Sequence, residues 1–195
     1  MSFEQLIICH CAPTLKGIKI SNLVSCSNQK FPHLIKSVEL LDSRFKPFGL
    51  KCRILCRCQK FSLVFVYDVQ KLNDFLNAGF NRSYLESLGY KFGNLDDLLL
   101  QLSARLADYK GFPHEIGIFL GYPIEDVIGF SENHGENFKY SGYWKVYGDT
   151  RKAKELFSSY NLCCKKCTQM AMNGSTVEEV ICYAESKACV QTRVA

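Results

Sequence analysis

The chain has no apolar run long enough to cross a bilayer: LVFVY at 63–67 and LIIC at 6–9 fall far short of the roughly 20 residues a membrane helix needs. No membrane span is expected. Its first residues, MSFEQLIICHC, lack a basic n-region and a long apolar stretch, and Glu4 stands where a signal peptide carries Lys or Arg. A cytoplasmic location is expected. No segment repeats, no tract is low in complexity, and no linker divides the 195 residues. The expected organisation is one globular domain over residues 1–187 with a frayed tail at 188–195. Concentrated charge is also missing. The net charge of +5 is spread along the chain. The richest stretch sets Lys139, Lys145, Arg151, Lys152, Lys154, Lys165 and Lys166 against Asp149 and Glu155, and reads as a solvated face. Nucleic acid is not an expected partner.

Cysteine is the residue in abundance. The 11 cysteines are an odd number, which cannot pair completely within one chain, and disulfides belong to oxidising compartments. Thiols are therefore expected. CCKKC at 163–167 contains Cys164-x-x-Cys167, but a structural zinc site needs a second such knuckle, and Cys56-x-Cys58 has the wrong spacing for one. Extending a helical stripe from Tyr160 places Cys164, Cys167 and Ala171 on one face, where thiols serve as small core hydrophobes.

Periodicity sets out the elements. Leu34, Ile35, Val38, Leu41 and Phe45 predict an amphipathic helix over 32–46. KCRILCRC alternates, with Cys52, Ile54, Cys56 and Cys58 on one side, and FSLVFVY is apolar on both faces. Together they predict a 51–67 hairpin with a central second strand. Asp68 caps a helix carrying Leu72, Phe75 and Leu76, and NRSYLESLG predicts another. Asn94 and Asp97 open a helix striped by Leu95, Leu98, Leu99, Leu102 and Leu106, stopping before Gly111 and Pro113. Pro123, Glu125 and Asp126 have the pattern of a helix first turn, with acids favoured by the dipole. KYSGYWKVYG predicts a strand over 139–147. Asp149 or Thr150 caps a helix with Ala153, Leu156, Phe157 and Tyr160 inward, and Ser175 with Glu178 forms a capping box for a last helix carrying Val177, Val180, Ile181 and Ala184. The fold class expected is α+β, a helix-rich single domain packed on a small sheet.

Two short stretches carry candidate chemistry. In CHCAPTLKG, Pro13 suits the first turn of a helix, which would put Cys11 beside free N–H groups and a positive dipole end that favour the thiolate. His10 is adjacent but on an extended chain diverges from it. In FPHEIGIFLGYP the position where a metalloprotease needs its second His is Ile118, so no HExxH is present. Gly117 and Gly121 imply close packing or a left-handed turn. The plain reading makes Glu115 a helix cap and His114 a satisfied buried histidine.

HCAPTLKGIK, PHEIGIFLGYPIEDVIGF and GYWKVYGD, in this order and spacing, resemble a family of uncharacterised bacterial proteins, a domain of unknown function met mainly in anaerobic Firmicutes. The resemblance spans roughly residues 4 to 183 and implies no reaction. It implies that Cys11, His114, Glu115, Tyr122, Trp144 and Tyr147 belong to a shared signature, to which the Cys52–Cys58 cluster, CCKKC and Cys9 do not belong.

Three functional readings follow. The first is a single Cys/His site in which Cys11, His10 and His114 ligate a metal ion, haem iron or another redox centre, walled by Tyr140, Tyr143, Trp144 and Tyr147. The second is an enzyme of acyl transfer or hydrolysis, with Cys11 as nucleophile, His114 as general base and Glu115 or another acid as its orienter. The third is a non-enzymatic interaction module. The first ranks slightly ahead because the chain is thiol-rich; the sequence names neither partner nor oligomeric state.

Overall fold

A computed structural model describes residues 1–108 and 112–183. Gly111, Ala184 and the tail expected to fray lie outside the described residues. The chain is an α+β domain, with helices on both faces of a three-stranded antiparallel sheet. The strands β1 (Ser21–Ser27), β2 (Leu50–Arg57) and β3 (Phe61–Asp68) run in the order β1-β3-β2. The doubly apolar β3 thus holds the centre, as its composition predicts. Val24 and Ile54 both pair with Val64, and Cys52 pairs with Val66. β1 gives little signal of its own, because SNLVSCS is half polar. Its pairing partner decides its conformation.

The expected alternation on β2 breaks midway. A bulge between Ile54 and Cys56 shifts the register. Cys52 and Ile54 face one side of the sheet, whereas Leu55 packs into the core on the other. Cys56 pairs with Leu63, and its Sγ lies 3.7 Å from the Leu106 carbonyl oxygen. One residue of slip is enough to exchange faces, so the four alternate residues do not form one inner row.

On the first face lie α1 (Phe3–Leu15) and α2 (Leu34–Phe45), with α8 (Thr150–Met172) and α9 (Val177–Cys182) packed outside α1. Ser2 and Gln5 close a capping box that starts α1 ten residues before Pro13. Pro13 is therefore inside the helix, near its end, and not at a first turn. Its missing N–H removes only a late rung of the ladder, and Gly17 at φ +68° then turns the chain toward β1. The box opening α9 also differs by one residue: Thr176 and Glu179 form it.

Glu178 is drawn elsewhere. Arg44 of α2 donates to Glu178 at 2.6 and 2.5 Å and to Glu4 of α1 at 2.9 and 2.8 Å, while Glu4 also accepts from Val177 N at 2.8 Å. One guanidinium thus clamps three helices.

On the second face are α3 (Val69–Asn77), α4 (Gly79–Ser87), α5 (Leu95–Ala107), α6 (Ile116–Phe119) and α7 (Ile124–Glu132). Asp68 caps α3, and Asn94 with Asp97 opens α5, both at the residues the sequence indicates. The 139–147 segment is not one strand. It is a hairpin of β4 (Tyr140–Ser141) and β5 (Lys145–Val146), turned at Gly142–Trp144. Its aromatics pack on Phe157 of α8, and a Cβ at Gly142 would collide with that ring. On α8 the inward thiols are Cys163 and Cys167, with Cys164 half-buried and Leu156 exposed.

Arg44→Met is expected to destabilise the domain by about 1–3 kcal/mol in urea titrations, because it strands two carboxylates that are only partly exposed. The guanidinium holds both carboxyls below their ordinary value of 4.5. The clamp's contribution is therefore complete above that pH and fades as pH falls through the lowered values. In Arg44→Met the corresponding part of the acid-side slope should vanish.

Candidate functional site

Between α7, the loop before α6 and the β4–β5 hairpin lies a cavity of about 350 Å³. Phe112, Tyr122, Phe130, Tyr143 and Trp144 contribute rings to its lining, Leu120 and Val127 the aliphatic part, and His114 and Lys145 the polar lip. Tyr122 and Trp144 stack with centroids 4.6 Å apart, and His114 meets Phe130 edge-on at 4.9 Å. Lys145 donates to the Gly135 carbonyl at 2.5 Å and sits 4.8 Å from the centre of Phe138.

The wall is fixed by a residue whose role the sequence did not disclose. Asp126 looks like an ordinary first-turn acid, yet it is only 4% exposed. Its carboxylate accepts from Trp144 Nε1 at 2.6 Å and from the backbone N–H groups of Tyr147 and Gly148, each at 2.7 Å. A buried indole N–H requires an acceptor. The sequence signal was there in the lone Trp144 and the nearby acid-rich turn, but only folding joins them.

Glycine sets how close the pieces approach. A Cβ at Gly117 would lie 2.7 Å from Val127 Cγ2, and one at Gly129 would lie 2.5 Å from the Tyr147 ring. Gly121 has φ +73°, so of the two glycines four apart one serves packing and the other a left-handed turn.

His114 and Glu115 point apart. His114 is exposed at the lip of the cavity and is not a buried histidine. Glu115 caps no N–H group; its carboxylate is buried, accepting from Tyr90 Oη at 3.2 Å and from Arg105 at 3.1 Å. The Arg105 guanidinium also lies over the Tyr90 ring at 4.2 Å. Burial and the adjacent Glu115 charge together push the Tyr90 phenol well above its usual value. This is a structural knot holding α5 to the loop before α6.

Cys11 belongs to the other face of the sheet. It is fully buried in the last turns of α1, within the core that includes Cys26 and Cys52, and it does not line the cavity. Burial pushes its thiol well above the ordinary value, with Cys52 adding to the effect and Lys19 opposing it. The conditions for a stabilised thiolate are therefore reversed: the helix end nearby is the negative one. His10, on the same helix, is exposed. Tyr143 and Trp144 line the cavity, Tyr140 stacks on Phe157 beside it, and Tyr147 donates to the Glu136 carbonyl at 2.8 Å without lining it.

The first motif meets the second through Lys19, with Ser21 just after it, and not through Cys11 and His114. Lys19, 6% exposed, donates to the carbonyls of Ser21 and Leu120 and lies 5.3 Å from the Tyr122 ring centre. Burial lowers its ammonium to about 8. Ser21 Oγ donates to Phe119 O at 2.6 Å, and Ile20 packs where a Cβ on Gly121 would stand.

The sequence profile that matches spans residues 7–181 and is described as a protein of unknown function, DUF3793. The chain belongs to that family. Comparison with curated proteins and with solved structures finds no match. The family's span contains the whole cavity and the ties around it, from Lys19 through Asp126 to Tyr147. Among the described residues, no group of three or more His, Cys, Asp or Glu side chains converges as a metal site would require, and no helix is long and apolar enough to cross a membrane.

Native protein treated with iodoacetamide at pH 8 should be labelled at the exposed Cys182 and remain unmodified at Cys11 until urea is added, as read by peptide mass mapping. Asp126→Ala should cost about 2–3 kcal/mol, since it leaves three donors without their acceptor. Trp144 emission should shift to longer wavelength in that variant; an unshifted spectrum would mean that the bond does not hold the indole in place.

Proposed function

We propose that this protein binds a planar, largely apolar small molecule in the cavity between α7 and the β4–β5 hairpin, with His114 as a polar contact at its lip. The observation that carries the reading is the convergence of Phe112, Tyr122, Phe130, Tyr143 and Trp144 on one cavity of about 350 Å³, a size ordinary for small-molecule sites. Aromatic walls favour flat ring systems, which they contact by offset stacking and edge-to-face packing. An imidazole at the lip supplies one hydrogen-bond donor or acceptor in an otherwise apolar lining. Asp126 keeps the indole rotamer set before a ligand arrives, which lowers the ordering cost of binding.

Among the ligands the sequence suggested, a metal-bearing planar ring such as haem suits this reading better than a bare ion. A single imidazole suffices to ligate haem iron, whereas a bare ion needs several convergent side chains. The nucleophile reading requires Cys11 beside His114, and the cavity lined by His114 does not include Cys11.

Trp144 is the chain's only tryptophan, so its emission reports on the site alone. Titration with 1-anilinonaphthalene-8-sulfonate and, separately, with haemin should quench it saturably at one ligand per chain. Ser141→Phe, which adds a ring at the exposed mouth, should weaken both by about tenfold or more, equal to roughly 1.4 kcal/mol. His114→Ala should weaken haemin and leave the anilinonaphthalene probe little changed. Quenching that never saturates, or that Ser141→Phe leaves intact in a protein with native circular dichroism, would sink the reading.

A further inference from the structure

On the opposite end of the sheet from α6, the β2–β3 hairpin brings Cys56 and Cys58 together with their sulfurs 3.8 Å apart. We infer that this pair is a binding site for a soft, thiophilic cation of the copper(I) class, independent of the aromatic cavity. Three observations on the hairpin support it.

The first is the separation of the sulfurs. Metal–thiolate bonds to ions of this size are about 2.3 Å, so sulfurs 3.8 Å apart subtend an angle of roughly 110° at a shared ion. That angle suits two corners of a trigonal or tetrahedral coordination sphere with no movement of the backbone. The pair is near enough to share an ion.

The second is a brace on the turn that holds Cys58. Asn28 donates through Nδ2 to the carbonyls of Cys58 at 2.7 Å and Gln59 at 3.2 Å, while its Oδ1 accepts from Ser62 Oγ at 2.7 Å. Its backbone N–H bonds to Lys60 O at 3.0 Å, and Cys58 N bonds to Phe61 O at 2.8 Å. Few backbone groups of the turn are left to move. A dithiol on such a frame is pre-organised.

The third is unequal access. Cys56 is buried with its sulfur near the Leu106 carbonyl, and Cys58 is half-buried, so an ion can enter from the Cys58 side and keep a corner open to solvent or to a third thiolate. Two thiolates are soft donors, which favours copper(I) over hard cations. Binding is an exchange without electron transfer: two S–H bonds break, two metal–sulfur bonds form, and two protons leave to solvent.

The test uses full-length protein, reduced and kept free of oxygen, with copper(I) supplied as its bathocuproine disulfonate complex. Wild-type protein should withdraw one equivalent of copper more than Cys58→Ser does, and Cys182→Ser should match wild type. Uptake should weaken as pH is lowered, because each ion displaces two protons. Asn28→Ala should weaken it by about tenfold, the usual cost of loosening a brace behind metal ligands. A second measurement needs no variant: bound copper should protect Cys58 of wild-type protein from N-ethylmaleimide. The proposal is overturned if Cys58→Ser takes up as much copper as wild type, if copper leaves Cys58 labelling unchanged, or if the pair takes zinc and refuses copper.

Discussion

β3 is apolar on both faces, and that constraint organises everything around it. A strand with Val64 and Val66 on one side and Phe65 and Tyr67 on the other needs cover on both, so the sheet acquires helices on each face and two separate cores. One core takes α1, α2, α8 and α9 and collects buried thiols. The other takes α3 to α7 and carries the cavity at its margin. The division explains why Cys11 and His114, both conspicuous in the sequence, do not share a site.

The two halves are joined by a few buried polar contacts. Lys19 and Ser21, at the start of β1, hold the carbonyls that end α6, and Asp126 ties α7 to the hairpin after it. Each tie spans a long stretch of chain and satisfies groups that would otherwise be buried without partners. None of these groups is spare, and no described buried side-chain nitrogen or oxygen lacks a partner. Arg44 does the same for three helix ends on the opposite side, at the surface, where its two carboxylates also neutralise it.

Most of the thiols behave as small apolar groups. Cys11, Cys26, Cys52, Cys163 and Cys167 are buried, and burial raises Cys26 to about 11 while pushing Cys11 and Cys52 up as well. A thiol in such surroundings stays protonated and unreactive. Burial, with the neighbouring Cys58 adding to it, raises Cys56 too, but a bulge and a braced turn set its sulfur against that of Cys58. The cavity and the dithiol are thus separate features, one framed by aromatic rings and a carboxylate, the other by a hairpin.

The sequence by itself determined the α+β class, the central strand, the caps at Asp68 and Asn94 and the stripe of α5. These depend on periodicity and on hydrogen bonds within a few residues, which a linear reading can follow. It also suggested a site assembled from HCAPT, FPHEIG and the aromatics of GYWKVYGD, of which the last two border one cavity while Cys11 lies in the core on the other face of the sheet. Only the tertiary structure decided that Pro13 lies inside α1, that residues 139–147 turn back as a hairpin, that Glu115 faces Arg105 and that Asp126 serves Trp144. Glu115 and Asp126 answer to partners ten or more residues away, the hairpin packs its aromatics on Phe157 of α8, and Pro13 follows from a helix start at Ser2. Local propensity is nearly neutral to such choices, and packing settles them.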